Sequence, residues 1–516
     1  MKTLKLEELT LEQKLGMVYC GRPFQPEDLD FVLELIGKRA LGCVQVPVKR
    51  PDVMEKIRNA ADYPLILIAD MEMGYPGSSL PPIPMMTLAA CDDPEYYRAF
   101  ARAVVTDAKE AGYNGAWGPV IDVPERGSHR SFSNDPRKVA RAAEEICRVF
   151  AANHFLSCGK HYPGGSKRGD THMANLGSAD SVETIREKRL FPYRYLMERG
   201  LLPSIMAGHT THLEVDPELP ASLSKKTIDL IRDMGYDGLC FTDDLAMMAI
   251  QQKFGGNKVM GMAMAAGNDI LLPDYRRPAR ETFALLKQNY LDGAFTEERL
   301  NEAVRRVLAA QAYIAAQPET PDLFTEKDQE TYRNIAKDCI TAITDPGLEA
   351  ALDPENKDRL FVVIVENDNV AQELTNEFIV RNWYHPEAVM EKIREEFPEA
   401  EILTLPAYSS ATENKKVLIA ATGHKEVVFV TFCNTRPYLG TDCLTRRTEA
   451  IINALNYSGK LSAVVHFGNP YGLQPLNHVR RMLFGYMMPQ SQLHAIEVLA
   501  GKLPAKGKLP FHIEFA

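Results

Sequence analysis

None of the nine cysteines stands in a C-x-x-C pair, and their odd number and irregular spacing lack the form of a disulfide framework or a closed zinc site. Reduced thiols are therefore expected. The chain also has no apolar run long enough to cross a bilayer. Its first residues, MKTLKLEELTLEQKLGMVYC, put acidic groups where a secretory leader needs an apolar core. A cytoplasmic protein with no membrane partner is the expectation. Positive charge is in deficit too: the formal net charge is -10, which opposes tight binding to nucleic acid or an anionic surface. No internal repeat and no low-complexity tract occur, so repeat architectures are excluded. Neither G-x-x-x-x-G-K-[ST] nor H-E-x-x-H occurs, which removes the phosphate-cradling P-loop and the helical zinc motif.

What is present is an ordinary globular balance, with 45% apolar and 25% charged residues over 516 positions. That length exceeds what one core supports, so two or three domains are expected. Short apolar runs alternate with amphipathic stretches over the first 310 residues. The runs lie at 41–46, 64–70, 115–123, 155–164, 202–209, 238–244 and 268–274. Helical periodicity marks 93–112, 135–154 and 296–316. Seven strands in this rhythm predict a (β/α)₈ TIM-like barrel over 1–316, with one strand unrecognised. A barrel is favoured over an open doubly wound sheet because reactive residues gather at the C-terminal ends of the strands, where barrels keep their active sites. Residues 317–345 read as a linker (317–329) and a bridging helix (330–345). From 346 to 516 a second α/β domain is expected, with a parallel sheet of four or more strands drawn from RLFVVIVE, EAEILTLP, KEVVFVTF and LSAVVHFGNP.

The strand ends carry the chemistry. The run GLCFTDD stops at Asp243 and Asp244. Neighbours on an extended chain point opposite ways, so one of the two faces the barrel mouth, as a nucleophile or base. A solvated turn with a helix cap is the competing reading. Asp70 and Glu72 share a face if their strand continues, and could bind a metal or grip sugar hydroxyls. Asp122, His129 and Arg130 follow the next run, and His209 and His212 a later one. The stretch GKHYPGGSKRGDTH (159–172) starts with Lys160 and His161 at a strand end and finishes with Asp170 and His172. A zinc site from His161, Asp170 and His172 is one reading of it. The other is a glycine-rich loop with an acid–base dyad, in which Asp170 orients the His172 imidazole and raises its pKa.

These motifs, taken in order, resemble glycoside hydrolase family 3, and within it the β-N-acetylglucosaminidase branch. LTLEQKLGMV is similar to the family's opening helix. ADMEMG resembles D-x-E-x-G, GPVIDV with HRSFSNDP resembles P-V-x-D-V and R-S-F-S-x-D-P, and KHYPG with DTH resembles K-H-F-P-G-H-G and D-S-H. DGLCFTDDLAM resembles the nucleophile segment. FGNPYGLQ and LAGKLPAKGKLPFHI resemble parts of the family's second domain, an α/β sandwich. The resemblance implies that Asp243 is the nucleophile and His172 the general acid/base, with Asp170 its partner. It implies that Asp70, Arg130, Lys160 and His161 bind the sugar, with Asp122 and His209 in support. It implies a retaining, exo-acting β-N-acetylhexosaminidase acting by double displacement on terminal β-linked N-acetylglucosamine, with no cofactor and no metal. The partner implied is a β-linked amino-sugar substrate, such as a recycled cell-wall (peptidoglycan) fragment.

Three departures from the family pattern stand out. Gly165 and Ser166 replace the second histidine and glycine of P-G-H-G, so residues 165–169 are altered. The arginine that follows the D-x-E-x-G glycines is missing, and Thr171 replaces the serine of D-S-H. Two other expectations therefore stand beside the first. One is a β-glycosidase (glucosidase or xylosidase) or glycoside phosphorylase of the same family. The other is a non-catalytic sugar-binding relative. For the second domain, scaffolding, substrate shaping and contact within a homodimer are all open.

Overall fold

The computed structural model describes residues 2–165, 171–365, 384–433 and 444–515. It divides into two compact units. The first comprises 1–82, 97–125 and 134–329; the second comprises 83–96, 126–133 and 330–516.

The first unit is the TIM-like barrel. One parallel sheet runs β1 (Cys20–Gly21), β2 (Cys43–Gln45), β3 (Ile66–Asp70) and β4 (Gly115–Trp117). A pair of parallel strands, β6 (Gly177–Ser178) and β8 (Thr211–His212), lies in the connecting loops. The other staves are β5 (Gly159–Tyr162), β7 (Ser204–Ala207) and β9 (Leu239–Thr242), also parallel. Single bridges close the ring. Gly115 pairs with Leu156, Val120 with Lys160, Phe241 with Ile270, and Leu271 with Tyr19. Residues 270–271 are thus the eighth stave. All seven runs read from sequence lie on staves, and the unrecognised strand is β1. Two residues give no hydrophobic run. They are placed by a close backbone approach: Gly42 donates its N–H to Gly16 at 3.0 Å. A Cβ on Gly42 would stand 2.0 Å from the Met17 oxygen, and one on Gly16 1.7 Å from that of Ala40.

The intervening helices bury one face each. Pro26–Gly37, Pro51–Ala60, Pro94–Glu110 and Pro136–Ala152 all begin at proline, whose missing N–H costs nothing in a first turn. Trp117 and Phe241, from staves that are not neighbours, meet edge to face inside the barrel at 6.1 Å. The stretch after the last barrel helix, Glu297–Ala315, is tied down: Arg102 holds Asp322 at 2.6 Å and Asp328 at 2.8 Å.

The second unit is an α/β sandwich. Its sheet is built from β10 (Thr341–Thr344), β11 (Arg359–Val365), β12 (Glu401–Pro406), β13 (Glu426–Cys433), β14 (Leu461–Gly468) and β15 (Arg481–Phe484), in the order β10-β15-β14-β13-β11-β12. All neighbours are parallel except β10 and β15. Residues 360–363 and 427–430 are buried in unbroken runs, as strands covered on both faces require. Helix Pro386–Glu396 packs on Pro489–Leu499, and Ala411–Thr422 on Arg446–Tyr457. The expectation of a helix over 330–345 needs correction. The helix is Glu326–Asp338, and 341–344 is the edge strand β10. Its β-branched Thr341, Ile343 and Thr344 favour a pleated surface, and Thr341 Oγ1 meets the Tyr486 hydroxyl at 2.8 Å. His466 is buried in β14. Its Nε2–H donates to the Asn469 carbonyl at 2.9 Å, and its Nδ1 lies 2.8 Å from Thr431 Oγ1. Burial pushes its pKa down to about 4.

The segment 126–133 belongs to this second unit and is held by it. Asn469 donates to the Gly127 carbonyl at 2.6 Å, Ser133 Oγ to that of Pro510 at 2.6 Å, and the Arg126 guanidinium lies over the Tyr471 ring. Among the described residues no helix is long and apolar enough to cross a membrane.

Candidate active site

Because the barrel staves run parallel, residues at their C-terminal ends share one rim. Lys160, in β5, is 2% exposed; its ammonium lies 2.6 Å from Asp70 Oδ1, at the end of β3, and 2.6 Å from Glu72 Oε1. Strand β3 stops at Asp70, so Asp70 and Glu72 do not share a pleat. They converge on one lysine instead. The register of β5 against β7 shifts between Lys160 and Tyr162, an irregularity that re-aims side chains. The next residue, His161, pairs with Asp122 twice. Its backbone N–H donates to Oδ1 at 3.0 Å, and Nδ1 donates to Oδ2 at 2.9 Å. That double bond fixes both the ring and its tautomer.

His209, just beyond β7, is buried. Its Nε2–H donates to the Asp244 carbonyl at 2.9 Å, so Nδ1 accepts from Ser222 Oγ at 2.8 Å. Burial lowers its pKa and favours the neutral ring, against the pull of Asp243.

Asp243 and Asp244 follow β9 and have separate fates. Asp243 is anchored to β7 by its backbone N–H, which donates to the Ala207 carbonyl at 2.9 Å. Its Oδ1 accepts the N–H of Asp244 at 2.8 Å. Burial alone would raise this carboxyl. The charges of His161 and His209 when protonated, the Asp244 N–H and the Lys160 ammonium outweigh burial and hold it well below the usual carboxylate range. Asp244 instead bonds Arg22 at 2.9 Å and caps the following turn through the Ala246 N–H at 2.8 Å. The cap reading of this pair therefore falls to Asp244, while Asp243 stays buried at the rim beside cationic groups.

His172 lies in the segment leaving β5. The N–H of Ala249 donates to the Thr171 carbonyl at 3.2 Å, and Gln252 Nε2 to the Met173 carbonyl at 3.1 Å. Both donors sit on helix Met248–Phe254, which begins five residues after Asp243. Asp170 lies outside the described residues. Arg130 is in the 126–133 segment of the second unit, its N–H 3.3 Å from Ser128 Oγ. The structure therefore brings Asp70, Glu72, Asp122, Lys160, His161, His209 and Asp243 to one rim. Among the described residues no cluster of three or more His, Cys, Asp or Glu side chains could hold a metal. Arg22, Ser222 and the lysine contact of Glu72 were not foreseen. Of these only Glu72 had a signal, its spacing from Asp70.

Residues 33–310 match the model of the glycosyl hydrolase family 3 N-terminal domain, more than half of the chain. Among curated relatives, the β-N-acetylglucosaminidase/β-glucosidase of Cellulomonas fimi is 25% identical over 402 residues, covering 70% of this chain and 69% of that protein. The β-hexosaminidase of Tolumonas auensis is 30% identical over 233 residues, covering 43% of this chain and 69% of that protein. Of solved structures, a family 3 β-N-acetylglucosaminidase from Paenibacillus sp. str. FPU-7 superposes with a TM-score of 0.79 at 24% identity, covering 98% of this chain and 100% of that one. A β-glucoside phosphorylase superposes with a TM-score of 0.80 at 21% identity, covering 98% and 95%. At these identities the two structures speak for the fold, a barrel followed by a sandwich. With the family model matched over most of the barrel, the chain belongs to glycosyl hydrolase family 3 and is a glycoside hydrolase.

Proposed function

We propose that this chain is a retaining, exo-acting β-N-acetylglucosaminidase that releases terminal β-linked N-acetylglucosamine. The observation that carries the reading is Asp243, a carboxylate held ionised at the barrel rim by cations and a peptide N–H. In the first step Asp243 attacks the anomeric carbon. The bond to the leaving oxygen breaks, and His172 gives that oxygen its proton. In the second, water attacks the glycosyl ester, His172 takes the water proton, and Asp243 leaves as the carboxylate. Asp170 is the partner proposed for His172. Lys160 with Asp70 and His161 would hold the sugar, Asp122 orienting His161 and His209 bracing the Asp244 peptide; a sugar-binding role for Arg130 rests on the family resemblance alone. The names of the Tolumonas auensis and Cellulomonas fimi relatives support an amino-sugar substrate. A cytoplasmic role on cell-wall fragments rests on the family resemblance alone.

The Cellulomonas fimi name also includes β-glucosidase, so the test must separate the sugars and the acceptor. It is a screen of p-nitrophenyl β-glycosides with and without phosphate. Turnover of the N-acetylglucosaminide, unaffected by phosphate, is expected. Turnover confined to a glucoside or xyloside, or dependent on phosphate, overturns the reading in favour of the β-glycosidase or phosphorylase.

A further inference from the structure

Arg22 follows the two-residue stave β1, and its side chain is only 7% exposed. A guanidinium so buried needs acceptors in several directions. It finds them at or just beyond the ends of three other staves. Nε donates to Gln45 Oε1 at 2.7 Å, Nη1 to the Pro273 carbonyl at 2.9 Å, and Nη2 to Asp244 Oδ2 at 2.9 Å. The rings of Phe24 and Tyr275 lie 5.3 and 4.8 Å from its carbon and meet each other edge to face at 5.6 Å. The guanidinium is thus fixed in plane and in rotation.

What it fixes in turn is Asp244. Every polar group of that residue is committed. One carboxylate oxygen meets Arg22 and the other the Ala246 N–H. The carbonyl accepts from His209, and the N–H donates to Asp243 Oδ1. Only the last of these touches the carboxylate to which the proposed reaction assigns the attack. An N–H that engages one oxygen sets the plane of the carboxylate and leaves the second oxygen to the anomeric carbon. Misplacement by about 1 Å at such a point can cost about 100-fold in rate.

We infer that Arg22 is a positioning residue for the glycosidase reaction: by clamping the Asp244 carboxylate it fixes the peptide N–H that orients the nucleophile Asp243. This rests on the reading of Asp243 as nucleophile. The clamp depends on the planar, three-way fork of arginine, and a lysine keeps the charge without the fork. Arg22 would act on the chemical step and leave substrate binding alone.

The experiment compares Arg22→Ala, Arg22→Lys and Asp243→Asn with the wild type, on whichever p-nitrophenyl β-glycoside the wild type turns over fastest. Folding of each variant is checked by thermal melting. Both Arg22 variants should lose about 10- to 100-fold in kcat while KM stays within about two-fold. Guanidinium added below denaturing concentrations should restore part of the kcat of Arg22→Ala, because it can re-enter the slot between Phe24 and Tyr275. It should not help Arg22→Lys, whose side chain fills that slot. If Arg22→Ala does not fold, the split between kcat and KM in Arg22→Lys decides. Wild-type kcat in folded Arg22 variants, or a loss carried by KM, overturns the inference, as does a folded Arg22→Ala without rescue. If those results come with an inactive Asp243→Asn, the inference alone falls. If Asp243→Asn keeps full turnover, the proposed nucleophile falls and the inference with it.

Discussion

Replacing Lys160 by methionine removes an ammonium and keeps most of the apolar stem. That ammonium is 2.6 Å from each of two carboxylates, but the two do not share its loss equally. Asp70 is 58% exposed, so its half of the arrangement is worth at most about 1 kcal/mol. Glu72 is 10% exposed, and breaking a buried pair by removing one partner costs about 3–5 kcal/mol, because the other charge stays behind in a poor solvent. Lys160→Met should therefore destabilise the barrel unit by about 3–5 kcal/mol, nearly all of it through Glu72. At about 2 °C per kcal/mol, the low end for a large unit, its melting midpoint should fall by about 6–10 °C. Adding Glu72→Gln removes the charge that lost its Lys160 counter-ion, so the double variant should recover to within about 1–2 kcal/mol of the wild type instead of summing the two losses. The assay is calorimetric melting of Lys160→Met, Glu72→Gln, Asp70→Asn and the Lys160/Glu72 double variant at neutral pH. An additive double variant, or a Lys160→Met shift no larger than that of Asp70→Asn, would refute the assignment of the cost to Glu72.

His172→Ala should slow turnover of glycosides with poor leaving groups by about 10²–10⁴-fold, and that of a dinitrophenyl glycoside much less, since its departing oxygen needs little protonation. Equal losses on both substrates in steady-state assays would remove His172 from the acid role. His466 binds a proton near its ordinary 6.5 in the unfolded chain and only at about 4 when buried. Its contribution to stability is thus complete above 6.5 and is lost as pH falls from there toward 4, a swing of about 3 kcal/mol. Urea midpoints of the second unit, measured from about pH 7 to about pH 4.5, should show this slope in the wild type and a flatter one in His466→Gln. Identical slopes would contradict it. His209, lowered by burial in the barrel, adds the same sign to the first unit.

Much of this architecture could be read from residue patterns, because a parallel stave buried on both sides must be a short apolar run. That held for the seven runs from 41–46 to 268–274. It failed for Cys20–Gly21, a stave too short to form a run, placed by the glycine contact between residues 16 and 42. It failed again at 341–344, where a helical pattern ran on into a strand. At the rim, the polar residues at stave ends announced themselves, and Lys160, His161, Asp122 and His209 do meet charged or hydrogen-bonding partners there. Who meets whom was not legible. Asp70 and Glu72 converge on Lys160 although their strand ends between them, and Asp244 turns to Arg22, more than two hundred positions away. An arginine after two strand residues looks in sequence like any solvated side chain. Only closure of the ring shows that it is enclosed.

The attachment of residues 83–96 and 126–133 to the second unit bears on modularity. The barrel unit is not one uninterrupted stretch of chain. A gene fragment ending at residue 316 would still encode Gly127, Ser133 and Ala90, but not Asn469, Pro510 and Lys508, whose backbone or side-chain groups bond to them. It would also strip the cover from a stretch whose Ile83, Met85, Met86, Leu88 and Ala90 are buried in the intact chain. Graft, truncation and domain-swap boundaries for this protein therefore cannot be drawn as a single cut along the sequence. The loop that carries Arg130 is encoded in the middle of the barrel but owes its shape to residues translated more than three hundred positions later.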